Sequence, residues 1–242
     1  MKISFTKTLL VSLCLSILMA CDKTEETPVF ELNSFQNQAM NYFGEVALGF
    51  EAGGSSEITR RWQSPVRIFV GGEYDQRQFQ ELESVIVELN ELIDPTSSIE
   101  IVTDTLLSNS YFHFGSAASY IEIFPDMQGL LTGNVGYFNV WWNQDIINRS
   151  RVFVDTQRLS FNQQKSLIRE ELVQSMGLGK DSPLYPNSIF YETATDGGFA
   201  ESLSNLDREV IRLLYHPMMR TRLNRSQAES VIRNIYESEA PN

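Results

Sequence analysis

The sequence of 242 residues holds two cysteines, Cys14 and Cys21, and two histidines, His113 and His216. Everything after Cys21 therefore lacks a thiol for a disulfide, a thiolate metal site or a cysteine nucleophile. Two histidines also fall short of the three-imidazole set that many catalytic zinc sites use. Basic residues are scarce as well: 19 Lys and Arg stand against 31 Asp and Glu, a net charge of −12. That balance speaks against nucleic acid as a partner and against a polybasic membrane patch. A Gly-x-Ser-x-Gly elbow, a Walker loop, a dinucleotide fingerprint and an EF-hand loop are all missing, as are internal repeats and low-complexity tracts.

What is present begins with the first 32 residues. Lys2 and Lys7 precede a mostly apolar run over residues 8–19, which ends in Leu18-Met19-Ala20-Cys21. The run has the length of a signal-peptide core and is too short to span a bilayer as a helix. The aliphatic residue, the small residue and the cysteine resemble a bacterial lipobox. The expectation is a signal peptide over 1–20, a lipidated Cys21 and a polar tether to residue 32. A diacylglyceryl thioether with an acylated amine would anchor the chain stably, where one acyl chain alone is marginal. The resemblance implies a periplasm-facing envelope protein held to the membrane by the lipid on Cys21. Asp22 points to the inner membrane as in enteric bacteria; Lys23 is not its usual companion, so the choice of membrane stays open. Without residues 1–20 the balance falls to −14, because Lys2 and Lys7 leave and no acid does.

Residues 33–242 read as one domain, large enough to bury a core. Phe35, Met40, Phe43 and Val46 recur at helical spacing and predict a helix over 33–49. The EAGGSS stretch at 51–56 predicts a break. β-branched and aromatic residues predict strands at 66–70, 99–102, 111–114, 135–142 and 151–155. Between the first two strands, an apolar stripe from Phe79 to Leu92 predicts an amphipathic helix over 74–94, ended by Asp94-Pro95. Further helices are expected at 162–176, closed by Gly177, and at 205–215 and 226–237. Strands followed by helices suggest an α+β class. Alternation in the strands puts His113 opposite Phe112 and Phe114, exposed or hydrogen-bonded, and splits Trp141 from Trp142, one toward the core and one free to rim a groove. His216 falls at a helix C-terminus, where a cation is favoured.

The segment 169–217 carries the most information. It contains Glu170-Glu171-Leu172-Val173-Gln174-Ser175-Met176-Gly177-Leu178, then Ser188-Ile189-Phe190, then Leu206-Asp207 through Leu213-Leu214-Tyr215-His216-Pro217. These motifs, in this order, resemble a proteobacterial lipoprotein family catalogued as domain of unknown function 2927.

The same segment more distantly resembles the metzincin metallopeptidases. That family places His-Glu-x-x-His-x-x-Gly-x-x-His/Asp on a helix: the histidines bind zinc and the glutamate is the general base. The first histidine position falls on Glu170, the general base on Glu171, the second histidine on Gln174, the glycine on Gly177 and the third ligand on Lys180, with Asp181 one residue on. The family's hydrophobic turn corresponds to Ser188-Ile189-Phe190-Tyr191. The resemblance implies a zincin-like (metzincin-like) single α+β domain, with a mixed sheet, an active-site-type helix and C-terminal helices. It departs from the family where zinc would bind, since neither histidine is present, and neither a metal nor another cofactor is expected.

Glu170, Glu171 and Gln174 fall within roughly a 100° arc of their helix, away from the apolar face of Ile168, Leu172 and Met176. Such a cluster is either a solvated polar face or the wall of a groove. Three functions follow. The leading one is a non-catalytic envelope lipoprotein that binds a peptide or protein in a degenerate peptidase groove lined by Glu170, Gln174, Gly177, Asp181, Phe190 and Tyr191. The second is a divergent metal-dependent hydrolase with Glu171 as general base. The third is a purely structural envelope protein.

Overall fold

The computed structural model describes residues 30–51, 55–192 and 199–241. The expected signal peptide, Cys21 and most of the tether lie outside the described residues. Residues 32–242 form one compact unit. Among the described residues, no helix is long and apolar enough to cross a membrane.

The expected α+β domain is present, built on a mixed six-stranded sheet. Its strands are β1 (Arg61–Trp62), β2 (Val66–Gly72), β3 (Ile99–Val102), β4 (Ser110–Gly115), β5 (Gly136–Asn143) and β6 (Ile146–Asp155). β3, β2, β4 and β6 pair in parallel, and β1 pairs in parallel with the first residues of β6. β5 alone runs antiparallel, along the other edge of β6. Gln144 and Asp145 join the two with positive φ of 51° and 62°, the two-residue hairpin geometry that matches strand twist. Asp145 is held there by Arg60 at 3.0 Å and Arg222 at 2.6 Å.

The described residues form six α-helices: α1 (Ser34–Val46), α2 (Gln76–Asn90), α3 (Ala117–Ile123), α4 (Phe161–Ser175), α5 (Asn205–Tyr215) and α6 (Arg225–Ser238). Reciprocal capping boxes start five of them, at Asn33/Gln36, Asp75/Gln78, Ser160/Gln163, Ser204/Asp207 and Asn224/Gln227. Each satisfies two backbone donors that the first helical turn would leave unpaired. α2 stops at Asn90 rather than running to 94; Asn90 turns its amide onto Ile99 of β3 through bonds of 2.9 and 2.8 Å. His113 is fully buried. It shares a 3.0 Å hydrogen bond with Ser119 Oγ, and burial pushes its pKa down to about 4. Of the two alternatives for this residue, the hydrogen-bonded one is realised.

α4 packs on β5, β6 and α2. Ile168, Leu172, Val173 and Met176 are all buried. Its C-terminal carbonyls are satisfied from distant parts of the chain. Trp62 Nε1 donates to the Ser175 carbonyl at 3.1 Å, and the Tyr215 hydroxyl donates to that of Met176 at 2.7 Å. Gly177 follows with φ +115°. A side chain there would be strained by its backbone and would also run into the Arg60 carbonyl. Strand, helix, turn and last helix thus come in the order expected of a zincin-like domain.

Candidate functional site

The polar side of α4 is not a solvated face. Glu171 is 5% exposed and Gln174 4% exposed, because β5 lies across them. The close approach depends on Gly136 at the start of β5: any Cβ at that position would collide with Glu171 Oε1. A glycine in a strand usually weakens it, and here it makes room for a carboxylate.

Three loops complete the wall. Phe50 bridges Gly179 in parallel, with the Glu51 amide donating to the Gly179 carbonyl at 3.1 Å. The Asp181 amide donates back to Glu51 Oε1 at 3.1 Å. Ser182 bridges Tyr191, with the Ser182 amide donating to the Phe190 carbonyl at 2.7 Å. These ties bring carboxylate oxygens of Glu51, Asp181 and Glu192 within 4.8 Å of one another. Gln174 Nε2 donates to Asp181 Oδ1 at 2.6 Å, linking that trio to the helix.

The result is a cleft of about 640 Å³ between α4 and β5. Five carboxylates line it, from Glu51, Glu170, Glu171, Asp181 and Glu192, beside the aromatic rings of Phe50, Tyr137, Phe138, Trp142, Tyr191 and Phe199. Among the described residues no Lys, Arg or His lines it. Lys180 stands next to Asp181 but turns away to Glu57 at 2.8 Å. Trp142 is the ring that rims the cleft, stacked on Phe50 at 5.4 Å. Trp141 does not reach the core; it is half-buried under the guanidinium of Arg149, 3.9 Å from its ring centre.

Uncompensated acids in a partly dry cleft hold their protons more tightly. Burial, and then the charge of Glu171, hold the Glu170 carboxyl well above the usual range. Burial, and then Asp181, do the same for Glu171. Asp181 is pushed up to about 9 by burial, then by its hydrogen bond with Glu192 and by the neighbouring charges. Glu171 Oε2 is buried with no hydrogen-bond partner among the described residues. Leaving such an atom unpaired costs more than most hydrogen bonds contribute.

Of the residues singled out from sequence, Glu170, Glu171, Gln174, Asp181 and Tyr191 line the cleft, and Gly177 and Phe190 do not. Gly177 shapes the turn after α4. Phe190 is fully buried and packs edge-on against Tyr42, with ring centres 6.4 Å apart. The turn that carries it is pinned from below. Ser188 Oγ donates to Asp207 Oδ1 at 2.6 Å, and the Ile189 amide to Asp207 Oδ2 at 3.2 Å. Glu51, Glu192, Phe50 and Gly136 escaped sequence reading. Glu51 and Glu192 become neighbours of Asp181 only through bridges between distant segments. Gly136 opening a strand was the one local sign of a close approach.

The donor set does not suit zinc. It offers no imidazole and no thiolate, and at the second histidine position Gln174 directs its amide donor at Asp181. His113 lies inside the sheet layer. His216 caps α5, its Nε2 3.6 Å from Glu239. All the available donors are hard oxygens.

A search of curated proteins finds no match. The solved structure of myroilysin is similar over 64% of this chain and 95% of its own, at 10% identity and a TM-score of 0.42. The family described as "Protein of unknown function (DUF2927)" matches residues 36–234, which is most of the chain, including every element that builds the cleft, and the chain belongs to that family.

Proposed function

We propose that this chain is a lipid-anchored envelope protein that binds an extended peptide segment of a partner protein in the cleft, without zinc chemistry. The observation that carries the reading is the free edge of β5. One edge of this strand pairs with β6; the other has no partner strand among the described residues and forms a wall of the cleft. An unpaired strand edge is a template for strand addition, in which main-chain hydrogen bonds supply affinity and flanking cavities supply side-chain preference. The volume is within the range of ordinary ligand sites. Titration with a set of extended peptides tests this. Binding should be weakened at least tenfold by N-methylation of alternate peptide amides, and indifference to methylation refutes strand addition. The lipid anchor is tested by Cys21→Ser, expected to release the protein from membranes; unchanged partitioning refutes it.

A second reading has a specific observation behind it. The clustered oxygens of Glu51, Asp181 and Glu192, beside a Glu171 Oε2 that has no hydrogen-bond partner among the described residues, also suit a metal-dependent hydrolase with Glu171 as general base. It requires a measurable peptidase turnover that Glu171→Gln abolishes while the fold is kept.

A further inference from the structure

We propose that the cleft selects its peptide by charge: its carboxylates receive the protonated side chain of an arginine or lysine in the bound segment. This rests on the peptide-binding reading and names the residue class that reading leaves open.

An acidic cluster alone would not carry the inference. Glu171 adds an independent observation. Its side chain is nineteen-twentieths buried, it faces the cleft, and Oε2 lacks any donor among the described residues. Gly136 keeps the space in front of its other oxygen clear of a Cβ. A carboxyl held in this way lacks a partner, and a basic side chain brings several donors.

The surroundings separate an organic cation from a metal ion. A cleft of about 640 Å³ is far larger than an ion needs. Its aromatic walls offer nothing to a hard metal, which wants six or more oxygens. They do suit the alkyl stem and the cationic head of arginine or lysine, which gain from ring faces as well as from carboxylates.

Proton balance gives the inference its own signature. The titratable groups facing the cleft are Glu170 and Glu171 on α4, Asp181 after it, Glu51, Tyr191 and Glu192 on the adjoining loops, and Tyr137 on β5. Near neutral pH some of these acids retain protons, with Asp181 pushed up to about 9 chiefly by burial. An arriving cation favours the ionised carboxylates. A carboxyl O–H bond breaks, its electrons stay on the oxygen, and the proton passes to the buffer. Binding therefore releases protons and tightens as pH rises.

Calorimetric titration of the purified protein tests this with four probes: acetyl-Ala-Arg-Ala-amide, the same peptide with the near-isosteric neutral citrulline, agmatine and calcium chloride. The arginine peptide should bind at least tenfold tighter than its citrulline counterpart. Its heat should vary with the ionisation enthalpy of the buffer, reporting proton release. Glu171→Gln and Asp181→Asn, each checked for a cooperative melt, should bring its affinity close to that of the citrulline peptide. Equal affinity for the two peptides overturns the charge inference and leaves peptide binding standing. Calcium binding that excludes the arginine peptide overturns it in favour of a metal site. If agmatine, the free guanidinium amine, binds while peptides do not, the cation site stands and the strand-addition reading falls. If none of these probes binds, both fall.

Discussion

α4 carries two electrostatic regimes one residue apart. Arg169 turns toward α2, where its guanidinium lies 3.1 Å from Glu81 and 3.7 Å from Glu88. Arg208 joins the same Glu88. Further along α5, Arg212 holds Glu209 at 2.8 Å and Glu239 at 2.7 Å, and the Tyr236 hydroxyl donates to Glu209 at 2.7 Å. Every acid there has a cation or a donor. On the other side of α4, Glu170 and Glu171 face Asp181, Glu51 and Glu192 with no base among the lining residues. The same residue types thus serve opposite ends. Burial pushes Glu209 upward, but the bonds from Arg212 and Tyr236 outweigh it and its pKa ends low. In the cleft no described residue opposes burial, and the pKa values rise. Paired charges tie helices together, whereas unpaired buried charges cost stability. That the described residues give these acids no counter-charge supports the proposal that a ligand supplies one.

The contrast is breakable from either side. The largest effect is expected on the paired side. Arg169→Met strips Glu81 of its partner and leaves Glu88 with Arg208 alone. The loss should be about 3 kcal/mol by urea denaturation, the low end for breaking a buried pair, because both glutamates keep some contact with water. A loss below about 1 kcal/mol would mean that the pairing contributes little.

On the cleft side the sign reverses. The pKa of Glu171 is raised in the folded protein, so its stabilising contribution is whole below its unfolded value near 4.5 and is lost as pH rises toward the folded value. Glu171→Gln removes that loss. The melting temperature at pH 8 should rise by about 2–4 °C, which is about 1 kcal/mol for a domain of this size. The gain should vanish below about pH 4. Destabilisation at pH 8 would show that Glu171 has a partner in the fold. The smallest effect belongs to an exposed pair: Glu45→Gln, which removes the 2.8 Å contact with Arg225, should change stability by less than about 0.5 kcal/mol.

How much of this could be read from sequence follows from the range of each interaction. The polar triad of α4 was legible because helical periodicity puts Glu170, Glu171 and Gln174 on one arc. Periodicity does not say what covers that arc: a solvated face and a groove wall share one pattern, and only β5 lying across it distinguishes them. β1 is two residues long and defined only by pairing with β6, and nothing local marks it. α3 is built from Ala117 to Ile123, whose Tyr and Ile content reads as strand; its Ser116 cap was the available clue. The Ser188-Ile189-Phe190 turn was visible, but its role as a buried support was not. That role depends on Asp207, nineteen residues further along the chain from Ser188.

The central claim is that the described residues leave the cleft carboxyls without a counter-charge, while Glu81, Glu88, Glu209 and Glu239 on the far side of α4 and along α5 each have an arginine. The most direct test is a carboxyl-carbon NMR titration of the purified protein, with Glu209 as the internal reference. The account predicts that Glu171 titrates well above 4.5 and Asp181 near 9, while Glu209 titrates below 4.5. If Glu171 and Asp181 titrate at ordinary carboxylate values alongside Glu209, the cleft is compensated, and the case for a cationic ligand fails with it.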